Sequence, residues 1–167
     1  RPPGCRRCRA GRRGSGLTMR LLVLGAHGFI GRCVVEAAVR HHGAASVIAG
    51  VRRGRTGAAP FPAGVEQRRV DAADETLLAA GLEGITHVID CVMGHYAAME
   101  RSAMLTAAAA TAGRIERLVH LGSIAVFGAR EGRVADDAPI GPPEDGYAAA
   151  KIAAEHQIEA AIRAGRA

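Results

Sequence analysis

The chain has 167 residues, of which 49% are hydrophobic and 23% charged, as expected for one globular domain. Only 3% are aromatic and Trp is absent, which disfavours a protein that stacks nucleic-acid bases on aromatic side chains. The net charge of +6 is concentrated at one end: residues 1–20 hold seven of the 22 basic residues and no acid. The other 147 residues carry 15 basic and 16 acidic groups, so we expect no nucleic-acid partner.

Residues 1–18 are predicted to be a disordered basic tail, rich in Gly, Arg and Pro, ahead of a folded domain over residues 19–167 that starts naturally at Met19. The tail lacks the apolar stretch of a secretory signal; an Arg-rich organellar transit peptide is the alternative. No apolar run in the chain approaches the roughly 18 residues needed to span a bilayer, so we expect no membrane partner.

The four cysteines do not form the pattern of a disulfide framework. Cys5 and Cys8 are spaced as a CxxC pair, but no second pair with zinc-ligand spacing follows, so we predict no metal site. Cys33 falls in a predicted helix and Cys91 at the end of a predicted strand, where cysteine usually acts as a small apolar residue. This usage favours a reducing, cytoplasmic location.

From residue 20 onward, short apolar runs alternate with apolar residues at helical spacing. The predicted elements are strands at 21–24, 46–49, 65–70, 86–91 and 117–121, and helices at 28–42, 74–81, 96–112 and from 146 to the chain end. Gly43 is expected to end the first helix and Asp74 to cap the second. Parallel strands need crossover helices, so the alternation predicts an α/β fold: a Rossmann-type doubly wound parallel sheet. We expect this sheet to be truncated after the helix that contains Tyr147 and Lys151.

Three glycines follow the first predicted strand, in the segment Gly25-Ala26-His27-Gly28-Phe29-Ile30-Gly31. The first permits a tight strand-to-helix turn, the second lets a diphosphate approach the backbone, and the third lets the helix pack closely on the sheet. The free amides and the positive dipole end of the helix then face the phosphates. The segment predicts a dinucleotide site, with an ordinary turn without ligand as the alternative.

The preference between NAD and NADP is expected to depend on the end of the second strand, about twenty residues further on. An NAD site would place an acid there, whereas this chain has Arg52 and Arg53 and no acid before Glu66. Either guanidinium could pair with a 2′-phosphate, so we predict NADP in preference to NAD. Two solvated loop arginines are the alternative. Asp71, after the third strand, is placed beside the adenine unless it is a turn or capping residue.

Lys151, the single lysine of the chain, follows Tyr147 by four residues, which puts both side chains on one face of a helix. An ammonium beside a phenol favours the phenolate, so the tyrosine can move a proton while a nicotinamide moves a hydride. Ser123 follows the fifth strand, where open α/β sheets bind ligands, and could orient the substrate oxygen. For Ser123 alone, an ordinary turn serine is the alternative.

Three segments occur in an order typical of one family: GAHGFIG at 25–31, HLGSIAVFG at 120–128 and YAAAK at 147–151. From residue 19 onward the chain resembles the extended short-chain dehydrogenase/reductases, the NAD-dependent epimerase/dehydratase family. The resemblance implies a Rossmann fold and a homodimer through helices 96–112 and 146–164, which small residues at 148–150 and 153–154 would permit. It implies these site residues: Gly25, Gly28 and Gly31 at the coenzyme, Ser123, Tyr147 and Lys151 in catalysis, and Lys151 also on the nicotinamide ribose.

The chain departs from the family pattern at three points. Phe127 replaces a tyrosine, and the asparagine that family members usually carry, near Ala98 here, is missing because the chain contains no Asn. Family members also continue for about as many residues again, forming a substrate-binding lobe, so this fragment could bind coenzyme without turning over substrate.

Two functions of different class follow from these observations. The first is an NAD(P)-dependent oxidoreductase or epimerase/dehydratase acting on a hydroxyl or carbonyl carbon of a sugar nucleotide or other small molecule. The second is a non-catalytic NADP-binding regulatory or assembly protein of the same fold. The retained Ser, Tyr and Lys disfavour the second, and the missing Asn favours it.

Overall fold

The structure, a computed structural model, describes residues 19–52, 60–135 and 137–165. The predicted tail with its CxxC pair, and Arg53, lie outside these residues. The helices and strands are β1 (Leu21–Leu24), α1 (Phe29–His42), β2 (Val47–Val51), β3 (Glu66–Arg69), α2 (Glu75–Gly81), β4 (His87–Asp90), α3 (Tyr96–Thr111), β5 (Arg117–His120) and α4 (Gly146–Gly165).

The five strands form one parallel sheet in the order β3-β2-β1-β4-β5. The chain moves outward from β1 to β3 and then returns to the other side of β1 with β4. The carboxyl ends of β1 and β4 therefore flank the point where the winding direction changes, which is where open α/β sheets bind ligands. The predicted Rossmann-type α/β fold is confirmed.

The sheet is covered on both faces by apolar side chains, because successive residues of a strand point to opposite sides. Every residue of β1 is buried. Leu22 belongs to a core cluster that includes Leu105 of α3, whereas Val23 belongs to a second cluster that includes Val35 of α1. By contrast, β3 is an edge strand whose side chains are mostly exposed, which explains why its apolar signal in the sequence is weak.

The two predicted caps are confirmed. Gly43 has φ +81° at the end of α1, and its N–H donates to the carbonyl of Val39. Asp74 accepts the N–H of Leu77 at the start of α2, at 2.9 Å. The second strand is longer and later than predicted, since Ser46 belongs to a 3-10 turn and the strand continues to Val51 to pair with β3.

Helices α3 and α4 pack against each other. Ala148, Ala150 and Ala154, three of the small residues expected to permit a dimer, are at most 2% exposed within the single chain. Their small size lets α4 approach the rest of its own domain, so these three do not face a second copy. A homodimer through other residues of α3 and α4 stays a prediction.

Candidate active site

The segment 25–31, here called the glycine loop, makes a turn that a larger residue at Gly25 or Gly31 would disturb. Gly25 has φ +71°, and a Cβ there would lie 2.7 Å from the carbonyl oxygen of Cys91 at the end of β4. The N–H of Gly28 donates to the carbonyl of Gly25 at 2.8 Å. A Cβ on Gly31 would overlap the backbone of Gly25. The loop and the first turn of α1 are therefore in close backbone contact.

The N-terminus of α1 is open toward the carboxyl edge of the sheet. Its N-cap, Gly28, has no side chain to accept the first amides, and the first turn carries no acid. Phe29 is 90% and Ile30 41% exposed. The first amides of a helix have no acceptor within the helix, and together with the positive end of the helix dipole they make this a place where an anionic group would be stabilised.

Two aromatic rings connect the glycine loop to the segment that leads into β3. The ring of His27 stacks on that of Phe61 with centroids 4.8 Å apart, and the guanidinium of Arg32 lies 5.5 Å from the Phe61 centroid. Phe61 is buried. His27, predicted to bind coenzyme, thus has a structural contact within the loop, and its contact with a ligand stays a prediction.

The two other described residues predicted near the adenosine differ in their contacts. Arg52 follows β2 and is exposed, and β2 is joined to the glycine loop by a bond from the N–H of Ala26 to the carbonyl of Gly50 at 3.4 Å. Asp71 is partly buried, and its Oδ1 accepts the N–H of Ala73 at 3.1 Å. Asp71 therefore makes a turn contact through Oδ1, and its place beside the adenine stays a prediction.

Ser123 lies beyond the end of β5 and begins a 3-10 turn. Its Oγ accepts the N–H of Ala125 at 3.2 Å. A hydroxyl that accepts one bond can still donate its own hydrogen, so Ser123 keeps a donor for a ligand oxygen. The same turn packs against α4, which brings Ser123 to the side of the sheet edge where Tyr147 lies.

The first turn of α4 is fixed by Asp145, whose Oδ1 accepts the N–H of Ala148 at 2.7 Å. Tyr147 is partly buried there. Lys151, one turn later on the same face, is 1% exposed, and its Nζ donates to the carbonyl of Leu121 at 2.7 Å. Leu121 is two residues before Ser123, so this bond ties the predicted catalytic serine, tyrosine and lysine to one region.

The other tyrosine of the chain, Tyr96, lies beside Tyr147, a contact that the sequence did not predict. Tyr96 begins α3, and its ring centroid is 6.5 Å from that of Tyr147. A Cβ on Gly146 would lie 2.7 Å from Cε2 of Tyr96. The position of Tyr96 in the sequence could have indicated this contact, because the start of a helix that follows a parallel strand lies at the ligand-binding edge of the sheet.

The sequence also did not predict a buried polar cluster at the ends of β4 and β5, formed by Asp90, Ser102 and His120. Asp90, 1% exposed, accepts the Ser102 hydroxyl at 2.9 Å and lies 3.2 Å from Nδ1 of His120, both through Oδ2. The cross-strand pairing of Asp90 with His120 brings the two side chains to one face. Within the described ranges no group of three His, Cys, Asp or Glu residues could hold a metal ion.

Cys91, next to this cluster, is buried as expected. The pKa of its thiol is raised to about 11: burial is the largest cause, the charge of Asp90 also raises the pKa, and the charge of Lys151 lowers it. The expectation that Cys33 acts as a packed apolar residue is wrong, since its position on α1 leaves it exposed.

The contrast between the two cysteines gives a direct labelling prediction. In a protein with Cys5 and Cys8 changed to Ser, a thiol-alkylating reagent at about pH 8 should modify Cys33 quickly and leave Cys91 intact. A pKa of about 11 leaves roughly one thiolate in a thousand at that pH, and the thiolate is the nucleophile. Intact-mass spectrometry should show one adduct in native protein and two in denaturant. Two rapid adducts in the native protein would contradict the burial of Cys91.

Comparison with known proteins adds a family match and several structural neighbours. A model of the NAD dependent epimerase/dehydratase family matches residues 21–167. No curated protein sequence matches the chain at a significant level. Among the described residues, no helix has the length and apolar character required to cross a membrane.

Three solved structures share the fold at low sequence identity. A GalE-like L-threonine dehydrogenase from Cupriavidus necator, in its holo form, has a TM-score of 0.73 at 23% identity, over 85% of this chain and 50% of its own. A dTDP-glucose 4,6-dehydratase from Bacillus anthracis in complex with NAD has a TM-score of 0.75 at 16% identity, over 87% and 50%. The enzyme WbmG from Bordetella bronchiseptica, in complex with NAD and UDP, has a TM-score of 0.70 at 20% identity, over 84% and 49%. The chain thus spans about half the length of these neighbours.

Proposed function

The chain belongs to the NAD-dependent epimerase/dehydratase family, and on that premise we propose that it is the coenzyme-binding part of an NAD(P)-dependent oxidoreductase. Its reaction moves a hydride between the nicotinamide and a hydroxyl or carbonyl carbon of a sugar nucleotide or other small substrate. The observation that carries the proposal is the convergence of the glycine loop, Ser123 and the Tyr147–Lys151 face on one edge of the sheet. We place the reaction in the cytoplasm, the compartment that the cysteine usage favours.

The residues present fit a dinucleotide. The glycine loop packs its backbone closely against the first turn of α1. The start of α1 has no side-chain cap, so its first amides can donate to a diphosphate. Lys151 supports the other end of the ligand: its buried ammonium has three donors, and Leu121 is the one acceptor found among the described residues. Ribose hydroxyls would accept the remaining hydrogens.

The side chains have separate roles in the proposed reaction. The bound coenzyme supplies or accepts the hydride. The Ser123 hydroxyl donates a hydrogen bond to the substrate oxygen and orients it, while Tyr147 gives a proton to that oxygen or takes one from it. Lys151, held by Leu121, keeps a positive charge near the phenol and stabilises its phenolate.

A turnover assay on the complete protein tests the function. Purified protein should oxidise NADPH or NADH in the presence of at least one member of a panel of sugar nucleotides and small carbonyl compounds, and Tyr147→Phe should bind coenzyme without turnover. If neither protein turns over any substrate although both bind coenzyme, the alternative of a non-catalytic NADP-binding regulatory or assembly protein is favoured.

We propose NADP rather than NAD as the preferred coenzyme, with Arg52, Arg53 and Asp71 near the adenosine. The exposed Arg52 supports this choice, because it follows the strand joined to the glycine loop and its guanidinium could pair with a 2′-phosphate. The dehydratase and WbmG neighbours were both solved with NAD, so coenzyme preference is the point where this chain is proposed to differ from them.

Arg52→Ala should therefore weaken NADPH binding and leave NADH binding unchanged. A charge-assisted bond to the 2′-phosphate stabilises the complex by about 1.5–3 kcal/mol, so we expect the Kd for NADPH to rise roughly 10- to 100-fold. Titrations followed by reduced-nicotinamide fluorescence give both constants, and Arg40→Ala, an exposed arginine near the other end of α1, is the matched control. Equal loss for the two coenzymes, or no loss for either, would rule out this role.

A further inference from the structure

The chain has few aromatic residues, and they are concentrated at one edge of the sheet. Trp is absent, and there are two Tyr and three Phe. Each of the five follows the carboxyl end of a strand or contacts the glycine loop: Phe29, Phe61, Tyr96, Phe127 and Tyr147. Of these, Phe61 alone is buried in the core. The aromatic side chains therefore lie mainly where open α/β sheets bind ligands.

Tyr96 is held in place by its own domain and is still open to solvent. Its ring centroid lies 6.5 Å from that of Tyr147, with 57° between the ring planes, which is the range of a favourable aromatic pair. The ring also lies against Gly146, where a Cβ would come within 2.7 Å of Cε2. Tyr96 nevertheless keeps 48% of its surface exposed. A fixed aromatic ring with an open surface is suited to contact a ligand.

The segments around Tyr96 and Ser123 offer few groups to a sugar. Residues 92–98 follow β4 and residues 122–128 follow β5. Their only polar side chains are those of His95, Tyr96 and Ser123. Their exposed large apolar side chains, besides the Tyr96 ring, are Met93 and Ile124. The several hydroxyls of a bound sugar lose hydrogen bonds to water and need replacements, whereas an apolar group beside the reacting carbonyl needs none.

The loop that joins β5 to α4 is acidic. Residues 129–145 contain two basic and five acidic residues, a net charge of −3. One of the two cations, Arg130, is bound to the backbone: it donates to the carbonyl of Phe127 at 3.0 Å and to that of Pro139 at 2.7 Å. The loop runs from the turn of Ser123 to the helix of Tyr147, so its charge acts on a substrate bound between them. This field disfavours an anionic substrate such as a sugar nucleotide and leaves a neutral one unaffected.

We propose that the substrate is an uncharged carbonyl compound with an aromatic ring on the reacting carbon, and that Tyr96 selects it by contact with that ring. The inference rests on the proposed hydride-transfer function and names a substrate class for it. Because the rings of Tyr96 and Tyr147 are in contact, a group on the carbonyl carbon can reach Tyr96 while the Tyr147 hydroxyl bonds the carbonyl oxygen. Aromatic pairs are stabilised beyond the area that they bury, which favours a planar ring over a polyhydroxylated chain.

The reaction on such a substrate is balanced by groups already named. The hydride of the reduced coenzyme adds to the carbonyl carbon and supplies the electron pair of the new C–H bond. The C=O double bond becomes a single bond, and the proton of Tyr147 completes the hydroxyl. The products are an aromatic alcohol and oxidised coenzyme, and Tyr96 takes no part in the bond changes.

A binding experiment tests the contact without turnover. Benzamide has the ring and the carbonyl of the proposed substrate but is not reduced by a nicotinamide. Added to the complete protein with oxidised coenzyme and carbon-13-labelled tyrosine rings, it should shift the Tyr96 signal, which is assigned by its loss in Tyr96→Phe. The Kd for benzamide should rise about tenfold in Tyr96→Ala and stay within about threefold in Tyr96→Phe, which keeps the ring.

Two controls accompany the titration. Lactamide, a neutral amide with a hydroxyl in place of the ring, should bind about tenfold more weakly than benzamide. Ile162→Ala removes an exposed apolar side chain near the other end of α4 and should leave the benzamide Kd unchanged. A Tyr96 signal that benzamide does not shift, or a Kd that is the same in Tyr96→Ala, would overturn the inference; both are expected if another part of the complete chain covers Tyr96.

The second test compares two small aldehydes as substrates. The kcat/KM for benzaldehyde should exceed that for glyceraldehyde about tenfold. Tyr96→Ala should remove most of this difference by raising KM for benzaldehyde, with kcat/KM for glyceraldehyde and the coenzyme Kd within about twofold of the unsubstituted protein. Tyr96→Phe should restore the preference.

Three kinetic outcomes would overturn the proposed selection: a preference for glyceraldehyde, a preference for the 4-keto form of a UDP-hexose, or an equal loss for both aldehydes in Tyr96→Ala. The failure of the proposed function is distinct from these. A protein that binds benzamide at Tyr96 but turns over no carbonyl compound would contradict hydride transfer, while the ring contact would stand.

Discussion

Gly31→Ala should reduce coenzyme binding by at least tenfold and destabilise the domain by about 1–3 kcal/mol. The added Cβ would overlap the backbone of Gly25, so α1 must move away from the loop that is proposed to hold the diphosphate. Overpacking a close contact usually has a stability effect of this size. Fluorescence titration with NADPH and NADH, together with denaturant unfolding, measures both effects.

Gly43→Ala is the matched control at the opposite end of the same helix. Gly43 has φ +81° and ψ 150° with nothing within 4 Å of an added Cβ, so alanine there is strained by about 1–3 kcal/mol without a clash. This variant should lose comparable stability and keep its coenzyme affinity. If Gly31→Ala binds coenzyme as the unsubstituted protein does, the glycine loop is not the diphosphate site.

Lys151→Met should abolish turnover without weakening the fold. Lys151 is 1% exposed, and among the described residues its ammonium donates to one carbonyl, that of Leu121, which compensates little of its desolvation. Replacing a buried charge by an apolar side chain of similar length is often neutral or stabilising by about 1–4 kcal/mol. Loss of the charge beside Tyr147 should reduce kcat at least 100-fold, as expected when acid–base catalysis is lost.

Urea unfolding measures the stability of the Lys151→Met protein, and NADPH oxidation by the same preparation measures its kcat. Tyr147→Phe is the companion variant: it should lose turnover to a similar degree and keep full coenzyme affinity, whereas Lys151→Met should also bind coenzyme more weakly through the lost ribose contacts. A Lys151→Met protein that unfolds several kcal/mol more easily and keeps its turnover would show that the lysine is a structural residue.

Local patterns predicted the features that depend on neighbours in sequence. The apolar run of β1 gave a strand buried on both faces, and the glycine spacing gave the turn into α1. The i, i+4 spacing placed Tyr147 and Lys151 on one helical face. β3 was the weakest prediction because Glu66–Arg69 contains no apolar residue and is exposed at the edge of the sheet.

Features that depend on tertiary neighbours were not predicted. The contact of Tyr96 with Tyr147 and the pairing of Asp90 with His120 arise from strand order, which brings β4 beside β5 and the starts of α3 and α4 together. The exposure of Cys33 depends on the rotation of α1 about its axis. Spacing along the chain carries none of this information until the topology is known.

The transfer of deuterium from coenzyme to product tests the central claim most directly. The complete protein would be incubated with a carbonyl compound that it reduces and with coenzyme deuterated at C4 of the nicotinamide, and the product analysed by mass spectrometry. We expect one deuterium on the former carbonyl carbon with the unsubstituted protein and none above background with Tyr147→Phe. Product without deuterium, or equal transfer by both proteins, would contradict hydride transfer assisted by this tyrosine.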